Sequence, residues 1–137
     1  MNPSQKKLRT EFAAFIRAAR EAQGLTIQEL ASRMSIHRAR LGQLERAVHN
    51  VTFKTMDVLV ANVVHTAGPL RPYSETVATR LITTRTGRFS QERLSELAGL
   101  SVNFVNTLER GRANSSIDHV EALAVALGIE GMDLIAV

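Results

Sequence analysis

The chain of 137 residues is predicted to be all-α, and two observations carry that prediction. The first is an internal repeat. Thr26–Ala47 (TIQELASRMSIHRARLGQLERA) and Ser90–Gly111 (SQERLSELAGLSVNFVNTLERG) align without a gap, sixty-four residues apart, with polar, apolar and small positions in step. That period is too long for a solenoid unit and suits two small helical domains in tandem. The second is the absence of any segment alternating with period two for long enough to make a strand, while apolar residues recur at helical spacing between capping residues and Gly or Pro.

Each element follows from local chemistry. A first helix is expected over Ser4–Gln23, with Leu8, Phe12, Phe15, Ile16 and Ala19 on one stripe, ended by Gly24. Thr26 caps a short second helix, and Glu29 three residues on completes a capping box. A third helix is expected over His37–Arg46, and a fourth from Thr52 through Val63 with Phe53, Met56, Leu59 and Val60 inward. Gly68, Pro69 and Pro72 then break the chain. The second half repeats the plan with helices over Ser74–Thr86, Ser90–Ala98, Ser101–Arg110 and Ser116–Leu127, the last closed by Gly128. Met132–Val137 is an apolar tail, either a last helical turn or a contact patch. The domain reading is 1–66, a linker at 67–72, and 73–137.

Units of about 60 residues bury only about 60% of their unfolded surface, so packing of the halves on each other, or dimerisation, is expected. There is no Cys, which excludes disulfides, thiolate metal sites and cysteine catalysis. No apolar run has signal-peptide or membrane-span length, and the default location is the cytoplasm. Charge is uneven: residues 1–66 hold ten Lys/Arg against five Asp/Glu, residues 67–137 seven against eight. A basic first half suits a polyanionic partner. His49, His65 and His119 lack metal-ligand spacing, and no nucleophile–base pair or phosphate loop is present. Neither a metal, a cofactor nor catalysis is expected.

Within each repeat, two short helices joined by a tight turn fit a helix-turn-helix. Ala31 and Ser95 are the small residues at the helix crossing, and the second helix of the pair is free to enter a DNA major groove. Both repeats resemble the Cro/CI-type (XRE) helix-turn-helix family over about 55 residues each, and SQERLSELAGLS…LERGRANSS in the second is the closer match. The resemblance implies two tandem five-helix-type domains and sequence-specific DNA-binding transcriptional regulation, usually repression, often by dimers on inverted repeats. It also implies ion pairs Arg20–Glu45 and Arg85–Glu109.

The repeats differ where DNA binding is decided. The second has Gln91 at the family's anchoring glutamine, Gly99 in the turn, Ser101 at the start of the recognition helix and Gly111 after Leu-Glu-Arg; the first has Ile27, Ser35, His37 and Ala47. The second half is therefore expected to be the main reader, through Ser90, Gln91, Ser101, Val102, Asn103, Asn106 and Thr107, with Arg112 and Asn114 positioning the backbone. Asn bonds adenine edges bidentately and Val meets a thymine methyl. In the first half His37, Arg38, Arg40 and Gln43 face outward, and Lys6, Lys7 and Arg9 form a basic arm. These suit double-stranded DNA or, in the alternative reading of an anti-activator, an acidic protein partner such as an activator or polymerase subunit. A homodimer is open, and no membrane partner is expected.

Overall fold

The computed structural model describes residues 7–137. Among these, nine helices and no strand are found: α1 (Lys7–Ala22), α2 (Ile27–Met34), α3 (Arg38–Glu45), α4 (Phe53–Val63), α5 (Tyr73–Arg85), α6 (Gln91–Leu97), α7 (Phe104–Glu109), α8 (Ile117–Leu127) and α9 (Met132–Ile135). The expected start of α1 at Ser4 lies outside the described residues. Side-chain caps set most of the starts. Thr26 and Glu29 form the capping box of α2, while Thr52, Ser90 and Ser116 each accept an amide hydrogen bond from the third residue of their helix. The tail expected at Met132–Val137 makes α9, which buries Leu134 and Ile135.

The two helix-turn-helix units share a backbone despite different residues. Gly99 and Gly111 take φ of 72° and 79°, and their counterparts Ser35 and Ala47 take 56° and 58°. A side chain in this left-handed region costs about 1–2 kcal/mol. The first unit has therefore kept the turn geometry at an energetic cost. Ala47→Gly is expected to stabilise the protein by up to about 1 kcal/mol in chemical denaturation, the relief exceeding the added chain entropy of glycine.

The halves meet in a pseudo-two-fold joint. Phe53 N–H donates to Ser115 O at 2.9 Å and Ile117 N–H donates to Val51 O at 2.8 Å, the pair flanking an antiparallel bridge between Thr52 and Ser116. Beside it, Asn114 Oδ1 accepts from Lys54 N–H and Asn50 Oδ1 from Asp118 N–H, both at 3.1 Å. Each bond maps onto its partner by the sixty-four-residue shift of the repeat. The first N–H groups of a helix lack intrahelical acceptors. Here each half supplies those acceptors to the other: α4 is capped from the second half and α8 from the first. The same exchange occurs at the first helices, where Glu121 Oε2 accepts from Leu8 N–H at 2.6 Å and Asp57 Oδ1 from Tyr73 N–H at 2.8 Å.

One core runs through the joint. Leu8, Phe12, Phe53 and Met56 of the first half share it with Tyr73, Val77, Ile117, Leu134 and Ile135 of the second, and the Tyr73 ring lies between Phe12 and Phe53 at 6.2 and 6.5 Å. α1 packs on α8 and α9, and α4 on α5. Packing of the halves, expected from their size, is thus realised within one chain.

The joint is less symmetric at its fifth-helix position. α9 fills this position in the second half, with Gly131 set so closely on Leu8 that a Cβ would fall 2.8 Å from Leu8 Cδ2. In the first half, the corresponding segment carries Gly68, Pro69 and Pro72 and forms no helix, leaving a cavity of about 330 Å³ lined by Val60, Leu70, Tyr73 and Ile135.

Glu121 gives the joint a pH dependence. Its side chain is buried, and burial, reinforced by the Asp118 and Glu11 carboxylates, holds its carboxyl above the ordinary value. The fold therefore disfavours its charge, and that cost is relieved as pH falls through the raised value. Glu121→Gln keeps an oxygen acceptor for Leu8 and removes the charge. It is expected to match or exceed the parent's stability at pH 7 and to lose that advantage as the pH is lowered, in paired denaturation series.

Candidate nucleic-acid interface

In the second half a chain of hydrogen bonds runs from the core to the surface. Arg85 clamps Glu109 through Nε (2.6 Å) and Nη2 (2.8 Å) and spends Nη1 on Phe89 O. Glu109 Oε1 accepts from Gln91 Nε2 at 2.9 Å, and Gln91 Oε1 accepts from Asn106 Nδ2 at 3.0 Å. The glutamine of α6 and the asparagine of α7 are thereby fixed side by side, each half-buried. Each amide carries two N–H donors, so Gln91 keeps one N–H, and Asn106 one N–H and its oxygen, for an outside partner. Around them Ser101, Val102, Asn103 and Thr107 are exposed, Val102 by 60%. Ser90 is exposed but uses its hydroxyl to cap α6 through Arg93 N–H.

The start of α7 differs from expectation. The helix begins at Phe104, and no side chain at its N-cap position, Asn103, caps it. The serine that serves α7 is Ser95 of α6, wholly buried, which donates to Gln91 O at 3.0 Å and accepts from Val105 N–H at 3.1 Å. Sequence reasoning credited Ser95 only with smallness. The available signal was its hydroxyl at the helix crossing, where the first repeat has Ala31.

The first half keeps the buried clamp and loses the surface chain. Arg20 grips Glu45 through Nε (2.7 Å) and Nη2 (2.9 Å), with Nη1 on Leu25 O at 2.7 Å. Both ion pairs implied by the resemblance are therefore formed. The positions of Gln91 and Asn106, however, are held by Ile27 and Gly42. Where two amides fill the space between α6 and α7, α2 and α3 leave a groove of about 970 Å³, floored by Ile27, Ala31 and Ile36 and edged by His37, Arg38 and Arg46. Arg38 and Arg40 are exposed and make no ion pair among the described residues. His37 sits at the α3 N-cap position without a side-chain cap bond, and Gln43 is tied to His49 at 3.0 Å. Residues 27–46 hold four arginines against two glutamates, residues 91–110 two against three.

Three residues expected at a polyanion are employed elsewhere. Lys7 pairs with Glu130 at 2.7 Å, and Arg9 forks onto Asp118 at 2.8 and 2.6 Å. The part of the basic arm that is described thus fastens α1 to the second half, where the acids are; Lys6 lies outside the described residues. Asn114 commits its oxygen to Lys54 N–H in the joint and keeps only its N–H donors for another partner. Arg112 is exposed and unpaired among the described residues.

No group of three or more His, Cys, Asp or Glu able to hold a metal is found among the described residues, and no helix there is long and apolar enough to cross a membrane. His119 instead stacks edgewise on Phe104 at 4.7 Å, with Nδ1 near the Ser115 and Ser116 hydroxyls.

Two small helix pairs, each braced by a buried arginine–glutamate clamp and each exposing its second helix, define a tandem helix-turn-helix protein. A family model described as "Helix-turn-helix" matches twice, over residues 16–61 and 87–134. The chain belongs to the Cro/CI-type (XRE) helix-turn-helix family, as a tandem member, and is a DNA-binding transcription regulator. Searches of curated proteins and of solved structures give no match.

Proposed function

We propose that the protein is a sequence-specific repressor whose second helix-turn-helix is the main reader of bases. The observation that carries this reading is the Arg85–Glu109–Gln91–Asn106 chain. A base-reading amide discriminates best when its rotamer is fixed before DNA arrives, because ordering it on contact consumes affinity. Asn106 retains an N–H and an oxygen, the pair an adenine N6/N7 edge requires, and Val102 suits a neighbouring thymine methyl. Ser101, Asn103 and Thr107 surround them, and Arg112 reaches for phosphate. The first half adds affinity through Arg38 and Arg40, with His37 beside them. Repression follows from occupying promoter DNA.

The test is anisotropy titration of the full chain on the promoter fragment upstream of its own gene, at several salt concentrations, beside a reporter assay. Reversing Arg38 and Arg40 to Glu is expected to weaken binding and to reduce the salt slope by about one for each phosphate no longer neutralised. Unchanged affinity and slope would instead assign those arginines to an acidic protein partner.

A further inference from the structure

We propose that a single chain occupies an operator of two unlike half-sites in inverted orientation, the second half reading adenine-containing sequence through Asn106 and the first reading guanine through Arg38. The proposal rests on the base-reading role assigned to the second half and extends it to the other.

The joint between the halves has the pattern of an isologous interface, in which residue i of one side meets j of the other and j meets i. Phe53–Ser115 with Ile117–Val51, Lys54–Asn114 with Asp118–Asn50, and Leu8–Glu121 with Tyr73–Asp57 are three such exchanges. Two-fold helix-turn-helix dimers meet inverted half-sites whose centres lie about 10 base pairs apart. Here the two-fold is built inside one chain, and a continuous core holds it. The bonds that pair the two units are therefore satisfied before any second chain arrives.

What differs is the chemistry of the heads. Val102, 60% exposed, stands at the start of the second head; Arg38 occupies the equivalent place in the first. An arginine there offers two N–H donors to guanine O6 and N7, whereas valine offers a methyl contact to thymine. Asn106 is replaced by Gly42, which opens the groove beside Arg38 and removes the adenine-binding amide from that head. A covalent pseudo-dimer with unlike heads has no reason to prefer a palindrome.

The test is selection of duplexes from a random 30-base-pair library by the full chain, repeated with Arg38→Gln and with Asn106→Ala. The expected motif has two unlike elements about 10 base pairs apart between centres, one with a fixed guanine, and one chain bound per duplex. Arg38→Gln should erase the guanine preference alone and weaken binding to the selected duplex about tenfold or more; Asn106→Ala should erase preferences only in the other element. Because Arg38 is exposed and unpaired, an unchanged melting temperature will show that the variant is folded. A perfect palindrome bound by two chains, a single short element, or a guanine preference surviving Arg38→Gln would overturn the proposal while leaving the second half a base reader. Enrichment of no motif would overturn the base-reading role itself.

Discussion

Arg85→Met is expected to destabilise the protein by about 3–5 kcal/mol, the scale measured when one partner of a buried ion pair is removed. The Glu109 side chain is 6% exposed, and Arg85 supplies two of its hydrogen bonds, Gln91 a third. Without the guanidinium, a buried carboxylate keeps only the Gln91 N–H, and Phe89 O loses its donor. Removing both charges is a different matter, because no uncompensated ion remains. Arg85→Met with Glu109→Leu should recover much of the loss in guanidinium denaturation. Equal losses in the single and the double variant would show that the side chains matter for packing alone. Arg20→Met should behave alike in the first half, since Arg20 and Glu45 are 9% and 6% exposed. Because one core spans both halves, either variant is expected to lower a single cooperative transition rather than split it in two.

The second large effect is on recognition. Gln91→Ala is expected to weaken binding to the promoter fragment by about 10- to 100-fold, because Asn106, whose bidentate contact is worth about 1–3 kcal/mol, loses the partner that orients it. Non-specific binding and the salt slope should stay unchanged, because no cation is removed. Asn106→Ala should cost a similar factor. The double variant should cost less than the sum, because the two amides form one hydrogen-bonded unit and each single substitution already frees the other. Strict additivity, measured by anisotropy on promoter and scrambled duplexes, would mean that the amides act independently and that the network does not preorganise the reader.

The helices were legible in the sequence because their starts are local: Thr26, Thr52, Ser90 and Ser116 cap from their own chain segment, and apolar spacing marks the inward face. The two ion pairs were legible through the family resemblance, which aligns Arg20 with Arg85 and Glu45 with Glu109. The joint was not. Asn50 and Asn114 are polar loop residues, and nothing local distinguishes an asparagine that caps a helix of the other half from one that meets a phosphate. Lys7 and Arg9 misled in the same way, since a basic run looks free until the fold brings Glu130 and Asp118 to it. The turn residues are a different case. Ser35 and Ala47 stand where the second repeat has Gly99 and Gly111, and both hold the left-handed geometry that the glycines adopt freely. The divergence of the first half lies in side chains, at Ile27, Arg38 and Gly42, and leaves the backbone plan intact.

Reading by a single chain requires the two halves to form one rigid unit, and amide hydrogen exchange at the joint tests this most directly. Phe53, Lys54, Ile117 and Asp118 donate their amides to acceptors in the opposite half. Those four amides are predicted to exchange as slowly as the core of α4 and α8, with the protection expected of global unfolding. Fast exchange there, with the helix interiors still protected, would mean that the halves open independently, and would contradict a built-in two-fold.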